Sequence, residues 1–151
     1  MIQPLLRSKL LRRGLKEPGY LEHIEERFGI YADALNTPTH EDQPAKTCIW
    51  VHAVSLGETR AAEVLLHALR AEYPNIRIVL THGTATGRAL GATLLREDDV
   101  QVWQPWDTPT IVQKFLQHFQ PCLAVVLETE VWPNWVAQCK HANIPMVLVN
   151  A

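Results

Sequence analysis

The 151 residues, 47% hydrophobic and 20% charged, are ordinary for one soluble globular domain and suffice to bury a real core. No window reaches the run of about 18 apolar residues that a membrane span needs. The three cysteines, Cys48, Cys122 and Cys139, are widely spaced without a CxxC, which argues against a disulfide framework or zinc site and fits a reducing compartment.

The net charge of −2 is unevenly spread: residues 1–16 carry +5 and the remainder −7. On a helical wheel Lys9, Arg12, Arg13 and Lys16 gather on one side, opposite Leu6, Leu10, Leu11 and Leu15. Arg7 falls among the leucines, and Pro4 and Gly14 weaken the helix. Residues 1–35 are therefore expected to form a basic amphipathic segment, either a solvated tail or a contact with an anionic membrane surface. A secretory signal is not expected, because a continuous apolar region and a clear cleavage site are lacking. The polar, proline-bearing residues 36–47 form the expected linker.

From Cys48 onward strands alternate with helices. CIWVHAV (48–54) is a buried strand, followed by a helix with Ala61, Val64, Leu65, Ala68 and Leu69 on its apolar side and Glu63, His67 and Arg70 opposite. IRIVLT (76–81) precedes a helix from about Thr86 to Leu95. VQVW (100–103) precedes a helix carrying Ile111, Val112, Phe115, Leu116 and Phe119, opened by Thr108 as N-cap and Pro109 at its first position. CLAVVLE (122–128) leads to a helix starting at Pro133, and MVLVN (146–150) is the fifth strand. Nearly continuous apolar strands alternating with helices predict an α/β, Rossmann-like parallel sheet covered on both faces over residues 48–151. The end immediately after a strand leads us to expect a truncated domain.

Ligands of open parallel sheets bind at the carboxyl ends of the strands, and three turns are expected there. In Ser55-Leu56-Gly57-Glu58, Gly57 allows close backbone approach, and the helix start favours an anion. Glu58 is thus either a cap or an ionised general base. Thr81-His82-Gly83-Thr84-Ala85-Thr86-Gly87 offers hydroxyls and N–H groups suited to phosphate or sugar oxygens, or is a plain connection; it matches neither standard nucleotide fingerprint. In Glu128-Thr129-Glu130-Val131-Trp132-Pro133-Asn134, Glu128 and Glu130 share one side of an extended chain and either serve a site or shape the helix entry. Trp103, Trp106, Trp132 and Trp135 suit packing. The histidines show neither HxxxH nor HExxH, so no metal is expected. No GxSxG elbow is present.

Four of these segments, His52-Ala53-Val54-Ser55-Leu56-Gly57-Glu58, Thr81-x-x-Thr84-x-Thr86-Gly87, Pro105-Trp106-Asp107 and Glu128-Thr129-Glu130-Val131-Trp132-Pro133-Asn134, together resemble the amino-terminal half of the 3-deoxy-D-manno-octulosonic acid (Kdo) transferases of Gram-negative bacteria. The likeness is strong over 48–151, Val149-Asn150-Ala151 included, and looser at Arg12-Arg13-Gly14 and Glu26-Arg27-Phe28-Gly29. The departures are mild: Leu56 stands where valine is commoner, Ala85 where proline is frequent, and Trp106 where tyrosine is typical.

The resemblance implies the acceptor-side half of a two-domain GT-B glycosyltransferase in lipopolysaccharide biosynthesis. It implies a lipid A precursor as acceptor and CMP-Kdo as donor, the donor held by a carboxyl-terminal domain. It places the protein at the cytoplasmic face of the inner membrane, with no cofactor, no metal and no nucleic-acid partner. Glu58 would be the catalytic base. Ser55, Gly57, Thr84, Thr86, Gly87, Glu128 and Glu130 would contact substrate. Without the donor half and most of the hydrophobic anchor, the chain alone is expected not to transfer Kdo. Two other readings are compatible with the residues, a non-catalytic α/β ligand-binding module and a nucleotide-dependent enzyme using the 81–87 turn.

Overall fold

The computed structural model describes residues 3–32, 46–127 and 132–149. Most of the expected linker lies outside them. Five parallel strands, β1 (Thr47–His52), β2 (Ile76–His82), β3 (Val100–Trp103), β4 (Leu123–Leu127) and β5 (Met146–Val149), form one sheet in the order β3-β2-β1-β4-β5. Thr47 pairs with Ile76, and Ile49 with Leu123, so β1 sits centrally. The order reverses between β1 and β4, the point at which a doubly wound sheet opens a crevice. The α/β, Rossmann-like expectation is met, and each strand lies within two residues of its expected bounds.

Strand period 2 sorts the apolar residues into two cores. Ile49, Val51, Ile78 and Leu80 face α2 (Leu56–Glu72) and the segment after α3 (Ala85–Ala92). Trp50, Val79 and Val102 face α4 (Pro109–Phe119) and α5 (Pro133–His141). Trp50 is fully buried, its ring 4.5 Å from Phe115 and 4.7 Å from Trp135, and its indole N–H donates to Thr81 Oγ1 at 2.8 Å. Aromatic pairs of this kind add about 0.5–1.5 kcal/mol each beyond their buried area. All five expected inward residues of α4 are buried.

Two helices sit differently from the sequence expectation. In α2 the buried residues of the inward side are Thr59, Ala62 and Leu66; Ala61 and Leu65 of the expected face pack beside them partly buried, while Val64 is 73% exposed. Its orientation is set by the N-terminal turn, where Thr59 Oγ1 donates to Ser55 O at 2.8 Å and lies 3.3 Å from His82 Nδ1, rather than by the most apolar arc. In α1 (Gln3–Gly14) Leu10 and Gly14 are buried and Arg7 is half-buried, whereas Leu11, and Leu15 just after the helix, are exposed. Arg7 forms a two-pronged pair with Glu25 (2.9 and 2.8 Å) and covers the Phe28 ring. Leu10 packs with Phe28 and Ile111. Gly14 admits Leu21, whose side chain would lie 2.3 Å from any added Cβ.

Two 3-10 turns, Pro18–Leu21 and Ile24–Phe28, carry the chain from α1 along the free edge of β3. Glu26 Oε2 accepts the Trp103 N–H at 2.8 Å, and Glu22 O accepts the Trp103 indole N–H at 2.7 Å. Gly29 closes the second turn at φ +73°, a conformation that favours glycine.

Candidate functional site at the carboxyl edge of the sheet

The turns after β1 and β2 are tied together at the carbonyl of Val54. It accepts from the N–H of Gly83 (3.1 Å), the N–H of Thr84 (3.0 Å) and the hydroxyl of Thr84 (3.0 Å). Ser55 is the N-cap of α2, and Glu58 in its first turn reaches back to the chain before it. Glu58 Oε2 accepts the Val54 N–H at 2.5 Å, and Oε1 accepts the Ser55 hydroxyl at 3.0 Å. The Glu58 N–H points to Ser55 Oγ at 3.4 Å. This is a reciprocal cap close to the Ser-x-x-Glu capping box. Each carboxylate oxygen retains a further acceptor position, because an ionised carboxylate has about four. Gly57 is exposed, with only Ser55 Oγ within 4 Å of an added Cβ, so the helix start is open to close approach.

Thr84 is the N-cap of α3: its hydroxyl also accepts the Gly87 N–H at 3.1 Å. Gly87 is buried, and an added Cβ would lie 3.1 Å from the backbone of Val54 and Ser55, so close packing of α3 against the first turn explains this glycine. Thr86 is exposed. Glu128 and Glu130 lie outside the described residues. The start of α5, just beyond them in the chain, is anchored by Asp107: its Oδ1 accepts the Trp135 N–H at 3.1 Å, and its O and Oδ2 accept from the Asn134 amide at 2.9 and 3.2 Å. Asp107 therefore caps α5 from a distant loop, which explains why Pro105-Trp106-Asp107 accompanies Trp132-Pro133-Asn134.

Between these turns and the amino-terminal segment lies a cleft of about 340 Å³, lined by Arg13, Arg27, Val54, Thr84, Gln104 and Trp106 among others. Arg27 is only 3% exposed; it donates to Gly83 O at 3.2 Å and stacks over Trp103 at 4.0 Å. Burial lowers its pKa to about 10. A cleft of about 440 Å³ between α4 and α5 lies at the opposite, amino edge, away from the strand ends that bind ligands in such sheets.

Sequence reasoning missed Arg27, Gln104 and the cleft position of Arg13. Arg27 precedes β1 by 20 residues, so no strand–turn–helix pattern points to it. Only the loose match at Glu26-Arg27-Phe28-Gly29 was a signal. Among the described residues no three His, Cys, Asp or Glu side chains gather where they could hold a metal ion. Among them also, no helix is long and apolar enough to cross a membrane.

A family model described as 3-deoxy-D-manno-octulosonic-acid transferase (kdotransferase) matches residues 22–151. The chain belongs to this family. It is 34% identical to the 3-deoxy-D-manno-octulosonic acid transferase of Haemophilus influenzae, over 99% of this chain and 33% of that protein. It is 43% identical to the transferase of Bordetella pertussis, over 99% and 35%. A probable mitochondrial 3-deoxy-D-manno-octulosonic acid transferase of Arabidopsis thaliana is 29% identical, over 99% and 32%. The chain thus spans about a third of the length of these relatives. The kdotransferase match begins before β1 and takes in the 3-10 turn that carries Arg27.

Proposed function

We propose that this chain supplies the acceptor side of a glycosyltransferase that moves Kdo from CMP-Kdo to a lipid A precursor, with Glu58 as general base. The observation that carries this is the meeting, at one edge of the sheet, of the β1–α2 and β2–α3 turns with the cleft, in a chain of the kdotransferase family. Glu58 takes the proton of an acceptor sugar hydroxyl. The freed oxygen forms the new bond to the anomeric carbon of Kdo while the bond to the CMP phosphate oxygen breaks and CMP leaves. Ser55 and Gly57 border the acceptor, and Thr86 is free to contact its hydroxyls. Thr84 and Gly87 hold the second turn in place as well as edging the site, and Glu128 and Glu130 are further acceptor contacts on this reading. Arg12, Lys16, Leu11 and Leu15, all exposed, suit an anionic membrane surface at the cytoplasmic face of the inner membrane.

A second reading is favoured by one observation: Glu58 already has a structural task as a cap. On that reading the domain binds its ligand and lends no base. The first test is an amide-shift NMR titration of the chain with the deacylated lipid A disaccharide bisphosphate. Shifts at 55–58 and 84–87 are expected. Shifts confined to the cleft between α4 and α5, or none in a folded sample, overturn the acceptor reading.

A further inference from the structure

Nearly all buried polar atoms in proteins find a partner. Among the described residues around the cleft three do not: Arg27 Nε, Trp106 Nε1 and Gln104 Oε1. Arg27 is the most consequential, because a buried cation with no carboxylate bonded to it among the described residues is costly to hold. Its neighbour Glu26 cannot serve, being committed to Arg88 at 2.8 and 3.4 Å and to the Trp103 N–H at 2.8 Å. The Trp103 face offsets part of the cost through a desolvated cation–π contact. Burial also lowers the Arg27 pKa to about 10, outweighing the nearby Tyr20 and Glu26 charges that oppose it.

A second cation borders the same space. Arg13 projects from the last turn of α1 and lies over the Tyr20 ring at 4.4 Å, while Tyr20 stacks on Trp103 at 5.7 Å. The aromatic rings thus position two guanidinium groups around one cleft. None of the described residues lining it is acidic. Arg13 has no carboxylate partner among the described residues, unlike Arg7, Arg70 and Arg88, which do.

We propose that Arg27 and Arg13 form an anion subsite in the cleft that holds a phosphate monoester of the sugar acceptor. Two guanidinium forks match a dianion in charge and in planar hydrogen-bonding geometry, and the Trp106 indole N–H adds a neutral donor. Val54 joins the subsite to the reacting edge, since it lines the cleft and its N–H is held by Glu58. A phosphate anchored there fixes the sugar relative to the Glu58 carboxylate. The identity of the phosphate carrier rests on the acceptor reading above; the anion subsite itself does not.

The test tracks the Arg27 Nε–H and Trp106 Nε1–H resonances of the chain at constant ionic strength. The probes are the deacylated lipid A disaccharide bisphosphate, the same disaccharide without phosphates, and inorganic phosphate. The expected result is saturable movement of both resonances with the bisphosphate and about tenfold weaker binding of the phosphate-free sugar, the worth of one charge-assisted contact. Arg13→Gln, an exposed change that spares the core, should weaken the bisphosphate by a similar factor and leave the phosphate-free sugar unchanged. If both sugars bind equally, the acceptor reading stands and the anion subsite is refuted. If neither sugar binds but inorganic phosphate moves Arg27, and Arg13→Gln weakens that effect, the subsite stands and the acceptor reading fails. If neither bisphosphate nor phosphate moves Arg27, the subsite is refuted.

Discussion

Glu58, the proposed base, has a structural task of its own. Its two oxygens take the Val54 N–H and the Ser55 hydroxyl, and it is only 7% exposed. Replacing it with alanine leaves the Val54 N–H without its acceptor at a closely packed turn. Glu58→Ala should therefore lower unfolding stability by about 1–3 kcal/mol, read from the urea midpoint at constant slope. A loss below a few tenths would show that the reciprocal cap contributes nothing. Glu58→Gln keeps an acceptor oxygen and removes the proposed base, so it should cost less stability than alanine. The acid at this helix start was legible in the sequence, since Ser-x-x-Glu before an apolar run is a capping signature. The site's cationic wall was not. Arg27 and Arg13 come from chain segments with no local pattern linking them to β1, and only the tertiary fold brings them to the same cleft.

Among the elements, the strands were the most legible and the helix faces the least. Each strand is a short apolar run closed by turn residues, and central strands of a parallel sheet are buried on both faces, so no choice of face arises. A helix must choose a face. In α2 the cap and Thr59 set the rotation, exposing Val64; in α1 the Arg7–Glu25 pair and the Gly14–Leu21 contact do so, exposing Leu11 and Leu15. This changes how membrane contact at α1 must be tested. Deleting residues 1–16 would remove Leu10 from its packing with Phe28 and Ile111 and confound binding with folding. Reversing the charges of exposed Arg12 and Lys16 avoids that. Each cation near an anionic surface contributes about 1 kcal/mol, so Arg12→Glu with Lys16→Glu should weaken co-sedimentation with anionic vesicles at least roughly tenfold at low salt. Unchanged binding would remove α1 as the membrane contact.

At the scale of the whole molecule, the carboxyl edge is held by a buried polar layer as well as by the apolar cores. His82 ends β2 and is fully buried, with α2 and α3 packed against it. Its Nδ1 donates to Ala53 O at 2.9 Å, and Thr59 Oγ1 of α2 is 3.3 Å away. Gly91 of α3 leaves room for its ring, since an added Cβ there would lie 2.2 Å from Nε2. Burial lowers the His82 pKa to about 3; the Ala53 bond opposes this, while His52 and Arg88 reinforce it. The folded chain therefore keeps His82 neutral where the unfolded chain, near 6.5, takes up a proton. Its contribution is fully present above pH 6.5 and is lost as pH falls from there towards 3. Over that window the unfolded state binds the extra proton, so stability should fall by up to about 1.4 kcal/mol per pH unit. Urea unfolding between pH 7.5 and 5, above most carboxylate titration, measures the slope. His82→Gln, which cannot take up the proton, should flatten it by that amount. Equal slopes in the two proteins would mean that His82 titrates alike in the folded and unfolded chains, so that burial at this edge does not hold it neutral.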